Sequence, residues 1–275
     1  MNVSRCLRFV LYLALIPAAA MAQDRRPSHC IAIADAGGFI HKAAFADPLD
    51  AYSVRLNYVD HAMFLIETAG GLRVATDYTG FLGSVPPPDA VTMNRAHISH
   101  WTPTPDPEIP HVLPGWSERV GEPADHNLDL GEMLIRSVST DIRSAAGAGR
   151  EENGNSIFVF EVAGLCIGHL GHLHHEPTDE QYAALGRLDV VMAPVDGGLT
   201  VDLPTMIRTL QRLRSSVVIP MHWFGPYSLD RFVAGMEAEF DVDRRAESFL
   251  EVSLNTLPSR PTIVVLQPAY LAEAR

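Results

Sequence analysis

Between residues 178 and 266 the chain alternates helical periodicity with short, wholly apolar runs. Helical spacing covers 178–185, 203–213 and 229–240, and apolar runs lie at 190–193, 217–220 and 262–266. Continuous apolar runs separated by helices are the pattern of parallel strands buried on both faces, each reached by a helical crossover. The upstream half reads differently. Strand-like segments at 54–58, 63–68 and 72–77 follow one another, with Gly70-Gly71 as a hairpin turn between the second and third. Further strands are expected at 90–93, 132–138, 157–162 and 165–169, the last two joined by a turn at Gly164. Nothing resembling a linker separates the two halves. The expectation is one α/β domain over 51–275, with sheets layered against helices, preceded by an irregular lead-in over 23–50. The stretch 99–116 carries five prolines and no periodicity, and is expected to be a loop.

Residues 1–22 have the form of a secretory signal. Arg5 and Arg8 precede a short apolar core, and Ala20-Met21-Ala22 has the small-x-small pattern of a cleavage site. That pattern predicts a mature chain starting at Gln23 in the periplasm or outside the cell. Cys30 and Cys166 are the cysteines beyond this segment, and in an oxidising compartment they are free to pair or to stay apart. Lys+Arg of 21 against Asp+Glu of 33 gives a net charge of −12, which argues against nucleic acid or an anionic membrane as partner. A small-molecule substrate fits this composition better.

Twelve histidines are the unusual entry in the composition. Four groups of them fall just past predicted strands: His61; His97 with His100; the run Gly168-His-Leu-Gly-His-Leu-His-His175; and His222. Open α/β sheets bind ligands beyond the carboxyl ends of their strands, so these side chains share a plausible meeting place. Imidazole nitrogens are the commonest protein ligands for zinc and related ions, and three or four of them satisfy one ion. His29, His41 and His126 stand apart and read as ordinary hydrogen-bonded residues. Trp101, Trp116 and Trp223 flank the site, either as a substrate wall or as packing.

The order of these motifs resembles the metallo-β-lactamase fold superfamily, in its branch of lactonase-like metal-dependent hydrolases. Val59-Asp-His-Ala-Met-Phe-Leu-Ile-Glu67 with Ala75-Thr-Asp-Tyr78 is similar to that branch's opening. Asn94-Arg-Ala-His-Ile-Ser-His100 stands where the family has Thr-His-x-His-x-Asp-His. Gly168-His-Leu-Gly-His172 resembles its later His-x-Gly-Asp turn, and Ala193-Pro-Val-Asp-Gly-Gly198 and Ile219-Pro-Met-His222 its last signatures. The resemblance implies a single-domain αββα sandwich and a metal-activated water. Residue by residue it implies His97, His100 and His222 as metal ligands. His172 and Asp141 occupy ligand positions with changed chemistry. Arg95 replaces a family histidine and Ser99 the family aspartate. Arg95 cannot coordinate a metal and is expected to hold substrate.

Three readings follow. The first is a hydrolase using one divalent ion, with zinc expected, held by some of His97, His100, Asp141, His172 and His222. It would act on an ester, lactone or phosphodiester. The second is a non-catalytic periplasmic protein that binds a metal or ligand, and the third a metal-free enzyme with a histidine base and Arg95 on an anionic substrate. The first is the reading taken forward.

Overall fold

The computed structural model describes residues 28–31, 49–144 and 149–272. The signal-like segment, His41 and most of the 23–50 lead-in lie outside them. Two sheets face each other. The first orders its strands as Phe249–Val252, Val54–Asp60, Met63–Thr68, Arg73–Ala75, Ala90–Met93 and His111–Pro114. The second runs Asp241–Arg244, Thr262–Val265, Val217–Met221, Val190–Pro194, Leu165–His169, Arg150–Val162, Met133–Arg143 and Asn127–Asp129. A small parallel pair, Gly83–Ser84 with Leu271–Ala272, lies apart from both.

The sequence pattern explains this layering. The consecutive early strands pair antiparallel through tight turns, as Val54–Asp60 does with Met63–Thr68. The apolar runs of the second half form the parallel centre of the second sheet. Between the sheets, Leu56, Tyr58, Phe64 and Ile66 meet Ile135, Phe158, Phe160, Ile167 and Ile219, all buried. The helices Asp179–Leu185, Leu203–Leu213 and Pro226–Met236 bury Leu185, Met206, Leu210, Phe232 and Met236 on the outer face of the second sheet. The first sheet's outer face is covered by loops, with Trp101 and Trp116 packed edge to face over it at 5.8 Å. Those two tryptophans are therefore packing residues. The architecture is the expected α/β sandwich; among the described residues its helices lie on one side. The proline-rich stretch contributes an edge strand, His111–Pro114, where a loop is expected, and its closing proline suits an edge position.

Cys30 and Cys166 are joined in a disulfide, with Cα atoms 6.0 Å apart. The open question in the sequence is thus closed: residues 28–31 are pinned to the strand Leu165–His169. Around the link, Ser28 Oγ and the His29 amide both donate to the buried Glu161 carboxylate, which also accepts from Arg136 Nε at 2.7 Å.

Candidate metal centre

Every histidine of the site is delivered by the end of a strand. His61 occupies the turn after Val54–Asp60, His97 and His100 the loop after Ala90–Met93, His172 the loop after Leu165–His169, and His222 follows Val217–Met221 directly. The strand ends of both sheets open on the same edge of the sandwich. One ligand nitrogen from each of His97, His100, His172 and His222 falls within 4.8 Å of all the others. His100, His172 and His222 are buried; His97 is exposed on the rim. His61 adds a fifth ring, its centroid 3.9 Å from that of His222 and 5.1 Å from that of His100.

The carboxylates behind the rings set which nitrogens look inward. His100 Nδ1 donates to Asp77 Oδ2 at 2.5 Å, and His222 Nδ1 lies 2.9 Å from Asp196 Oδ2. With their protons on Nδ1, both Nε2 atoms carry lone pairs. Yet these two Nε2 atoms face each other across 3.1 Å. Two acceptors at hydrogen-bond distance repel unless a cation lies between them. Ligands at about 2.05 Å from a tetrahedral zinc are about 3.3 Å apart, so the spacing suits a shared ion. His172 points the same way: neither of its buried ring nitrogens has a partner, and His61 Nε2 is likewise buried and unpartnered. Buried polar atoms are rarely left so. The donor set fits a divalent ion bound by imidazole nitrogen.

Burial and crowding keep the rings neutral. Burial, and then the neighbouring His222 and His100, lower His61 to about 3. Burial likewise holds His100 and His172 well below the ordinary histidine value. Complete burial pushes Asp77 up to about 6, partly countered by His169 and by Asn94. Burial alone would raise Asp196, but hydrogen bonds from His222, Thr200 and the amides of Gly198 and Thr200 hold it well below the usual carboxylate range.

The surrounding backbone is committed to this arrangement. His61, Asp77 and His222 all adopt positive φ, at 46°, 44° and 57°, a region costly for non-glycine residues and found at functional sites. The His61 carbonyl accepts from the His222 amide at 2.8 Å and from the buried Tyr58 hydroxyl at 2.7 Å, binding the ends of the two sheets together. Asn94 donates to Asp77 Oδ1 and accepts the Ser156 amide, and Asn155 accepts the His172 amide. Gly171, at φ 58°, fits between them because a Cβ there would lie 2.4 Å from Asn94 Nδ2 and 2.7 Å from Asn155 Oδ1. His169 is structural, with Nε2 on the Ala62 carbonyl and Nδ1 receiving the Gly171 amide.

Two residues expected at the site are engaged elsewhere. Asp141 binds the Arg150 guanidinium and the Asn153 amide and is not part of the four-histidine group. A register shift between Thr140 and Ile142 interrupts the strand pairing there. Arg95 forms an ion pair with Glu151 on the strand Arg150–Val162. Three participants were not singled out by role in the sequence: His61, Asp77 and Asp196. Asp77 and Asp196 lie just past short apolar strands, inside the quoted motifs, which is the signal that could have found them.

Comparison with known proteins agrees with the geometry. The model of a beta-lactamase superfamily domain matches residues 55–222. A Methanosphaerula palustris protein named as a UPF0173 metal-dependent hydrolase is 26% identical over 184 residues, covering 62% of this chain and 84% of its own length. A protein of the same name from Nanoarchaeum equitans is 23% identical over 185 residues, with the same coverages of 62% and 84%. Among solved structures, one from Thermotoga maritima, assigned as a zinc-dependent hydrolase of the metallo-beta-lactamase superfamily, superposes with a TM-score of 0.54 at 23% identity. It covers 78% of this chain and 98% of its own, a likeness of fold.

Proposed function

This chain belongs to the beta-lactamase superfamily, and from that premise we propose that it is a metal-dependent hydrolase that uses a single ion, with zinc as the expected metal. The observation that carries the reading is the pair of inward Nε2 atoms of His100 and His222, 3.1 Å apart, beside the unpartnered His172. His97, His100, His172 and His222 would hold the ion. An imidazole set suits zinc and, by ligand softness, also iron, copper or nickel. A divalent ion there supplies an acidified water and a Lewis acid for a carbonyl or phosphoryl oxygen.

The chain's own residues do the rest. Asp77 and Asp196 fix the tautomers and planes of His100 and His222, which sharpens their aim and raises their basicity. His61 lines the cleft at the cluster's edge and is placed to orient substrate or water there. The metal-dependent hydrolase names of the two archaeal relatives support this reading. Export to an oxidising compartment is part of the proposal; the signal-like residues 1–22 and the Cys30–Cys166 disulfide support it.

The test is hydrolysis of p-nitrophenyl butyrate, a lactone and bis-p-nitrophenyl phosphate by zinc-loaded, chelator-stripped and reloaded protein. Activity that vanishes with the chelator and returns with the ion is the expected result. Activity indifferent to chelation, or none from the loaded protein on any substrate, would overturn the reading.

A further inference from the structure

We propose that the substrate is an uncharged ester or lactone bearing an apolar group, and that this group lies in the cleft beside His61. The proposal rests on the hydrolase reading and adds the substrate class. The cleft has a volume of about 300 Å³ and is lined by Asp60, His61, Met63, Thr79, Ile98 and Ser99. It adjoins the histidine cluster directly, since His61 belongs to both.

Its rim is apolar in an unusual way. Ile98 is 76% exposed, and Phe224 is 68% exposed with its ring 5.3 Å from His61 and 5.4 Å from His222. Single exposed apolar side chains are ordinary. Here Ile98 lines the cleft and Phe224 stands against His61, so the side of the cleft next to the cluster is apolar.

Charge weighs against the anionic alternative. Arg95, two residues before His97, is paired with Glu151. Arg143, whose backbone amide donates to His174 Nδ1, turns its guanidinium onto the carbonyls of Gly198, Leu199 and Thr200. Arg150 is bound to Asp141. Among the described residues, these three guanidiniums beside the site are thus engaged. The cleft wall instead presents Asp60, held in place by the Tyr270 hydroxyl at 2.9 Å. Apart from the ion itself, a phosphodiester or carboxylate substrate would meet the Asp60 carboxylate and, among the described residues, guanidiniums that are already paired.

The experiment compares kcat/KM of the zinc-loaded protein on p-nitrophenyl acetate, butyrate and octanoate with that on the anionic mono-p-nitrophenyl succinate and on bis-p-nitrophenyl phosphate. Each buried methylene is worth about fourfold. We expect about a 16-fold gain from acetate to butyrate, two methylenes, and at least a tenfold preference for butyrate over the succinate monoester. Ile98→Asp should cut the octanoate-to-acetate ratio to below threefold. Glu151→Gln, which releases Arg95, should narrow the butyrate-to-succinate gap at least fivefold. Indifference to chain length, or equal or faster turnover of the anionic substrates, overturns this inference while leaving the hydrolase reading intact. Should no substrate be turned over, the hydrolase reading fails, and binding of the neutral dye N-phenyl-1-naphthylamine decides the cleft. Binding weakened at least fivefold by Ile98→Asp supports it; no binding, or equal binding to both proteins, overturns it.

Discussion

His100 and His222 meet Nε2 to Nε2 across 3.1 Å, each ring backed by an aspartate, the buried Asp77 or the half-buried Asp196. The braces are what make the meeting specific. Without a carboxylate at Nδ1, either ring could present an N–H inward and the two would share an ordinary hydrogen bond.

Asp77→Asn tests the brace with little change of shape. It removes the charge that selects the Nδ1–H tautomer of His100. Zinc affinity, measured by competition with a chromophoric chelator, is expected to fall about 10- to 100-fold. Asp77→Ala should in addition lower stability by about 1–3 kcal/mol in urea denaturation, because it takes away one of the two acceptors of the buried Asn94 amide and the partner of His100 Nδ1.

Position 61 is set by backbone as much as by imidazole. Its φ of 46° tolerates asparagine and penalises a β-branched residue. We expect His61→Asn to keep the stability of the parent and His61→Val to lose about 1–2 kcal/mol. Both should lose hydrolytic activity. Thermal unfolding of the two variants side by side checks the difference.

Much of this arrangement is visible in the sequence. His97, His100, His172 and His222 follow apolar strands, a local pattern, and the family resemblance supplies the expectation that those strand ends converge. Asp141 and Arg95 show where such reading stops. Asp141 sits at a register irregularity and is claimed by Arg150 and Asn153. The partner of Arg95 is Glu151, on a strand remote in sequence. Neither partnership has a periodic signature. The left-handed backbone of His61, Asp77 and His222 is equally silent in composition, because only tertiary contacts such as the His222 amide to the His61 carbonyl enforce it.

The Cys30–Cys166 disulfide spans 136 residues of sequence. Closing so long a loop restricts the unfolded chain, and Cys30→Ala should lower unfolding free energy by about 3–5 kcal/mol. Urea denaturation of the two oxidised proteins measures this. Reduction of the wild type should give a loss of the same order.

Acid should weaken the metal-stripped protein. His61 is lowered to about 3, and His100 and His172 well below their ordinary value, so the native state refuses protons that the unfolded chain accepts below about pH 6.5. Stability contributed by these neutral rings is present above that pH and is lost as pH falls toward 3. Asp77, raised to about 6, acts in the opposite sense but is one group against three. Urea midpoints are expected to fall steadily between pH 7 and pH 4.5. A flat or rising profile would contradict the burial of these rings.

Elemental analysis of protein purified without a histidine tag shows whether the four histidines hold one divalent ion. After dialysis against zinc and removal of loose metal, one ion per wild-type chain is expected. The double variant His100→Ala/His222→Ala should then retain less than about a tenth of an ion per chain and be no longer stabilised by zinc. Wild-type protein that retains no zinc, iron, copper, nickel or manganese under any loading condition would contradict it, as would a double variant that binds as much metal as its parent.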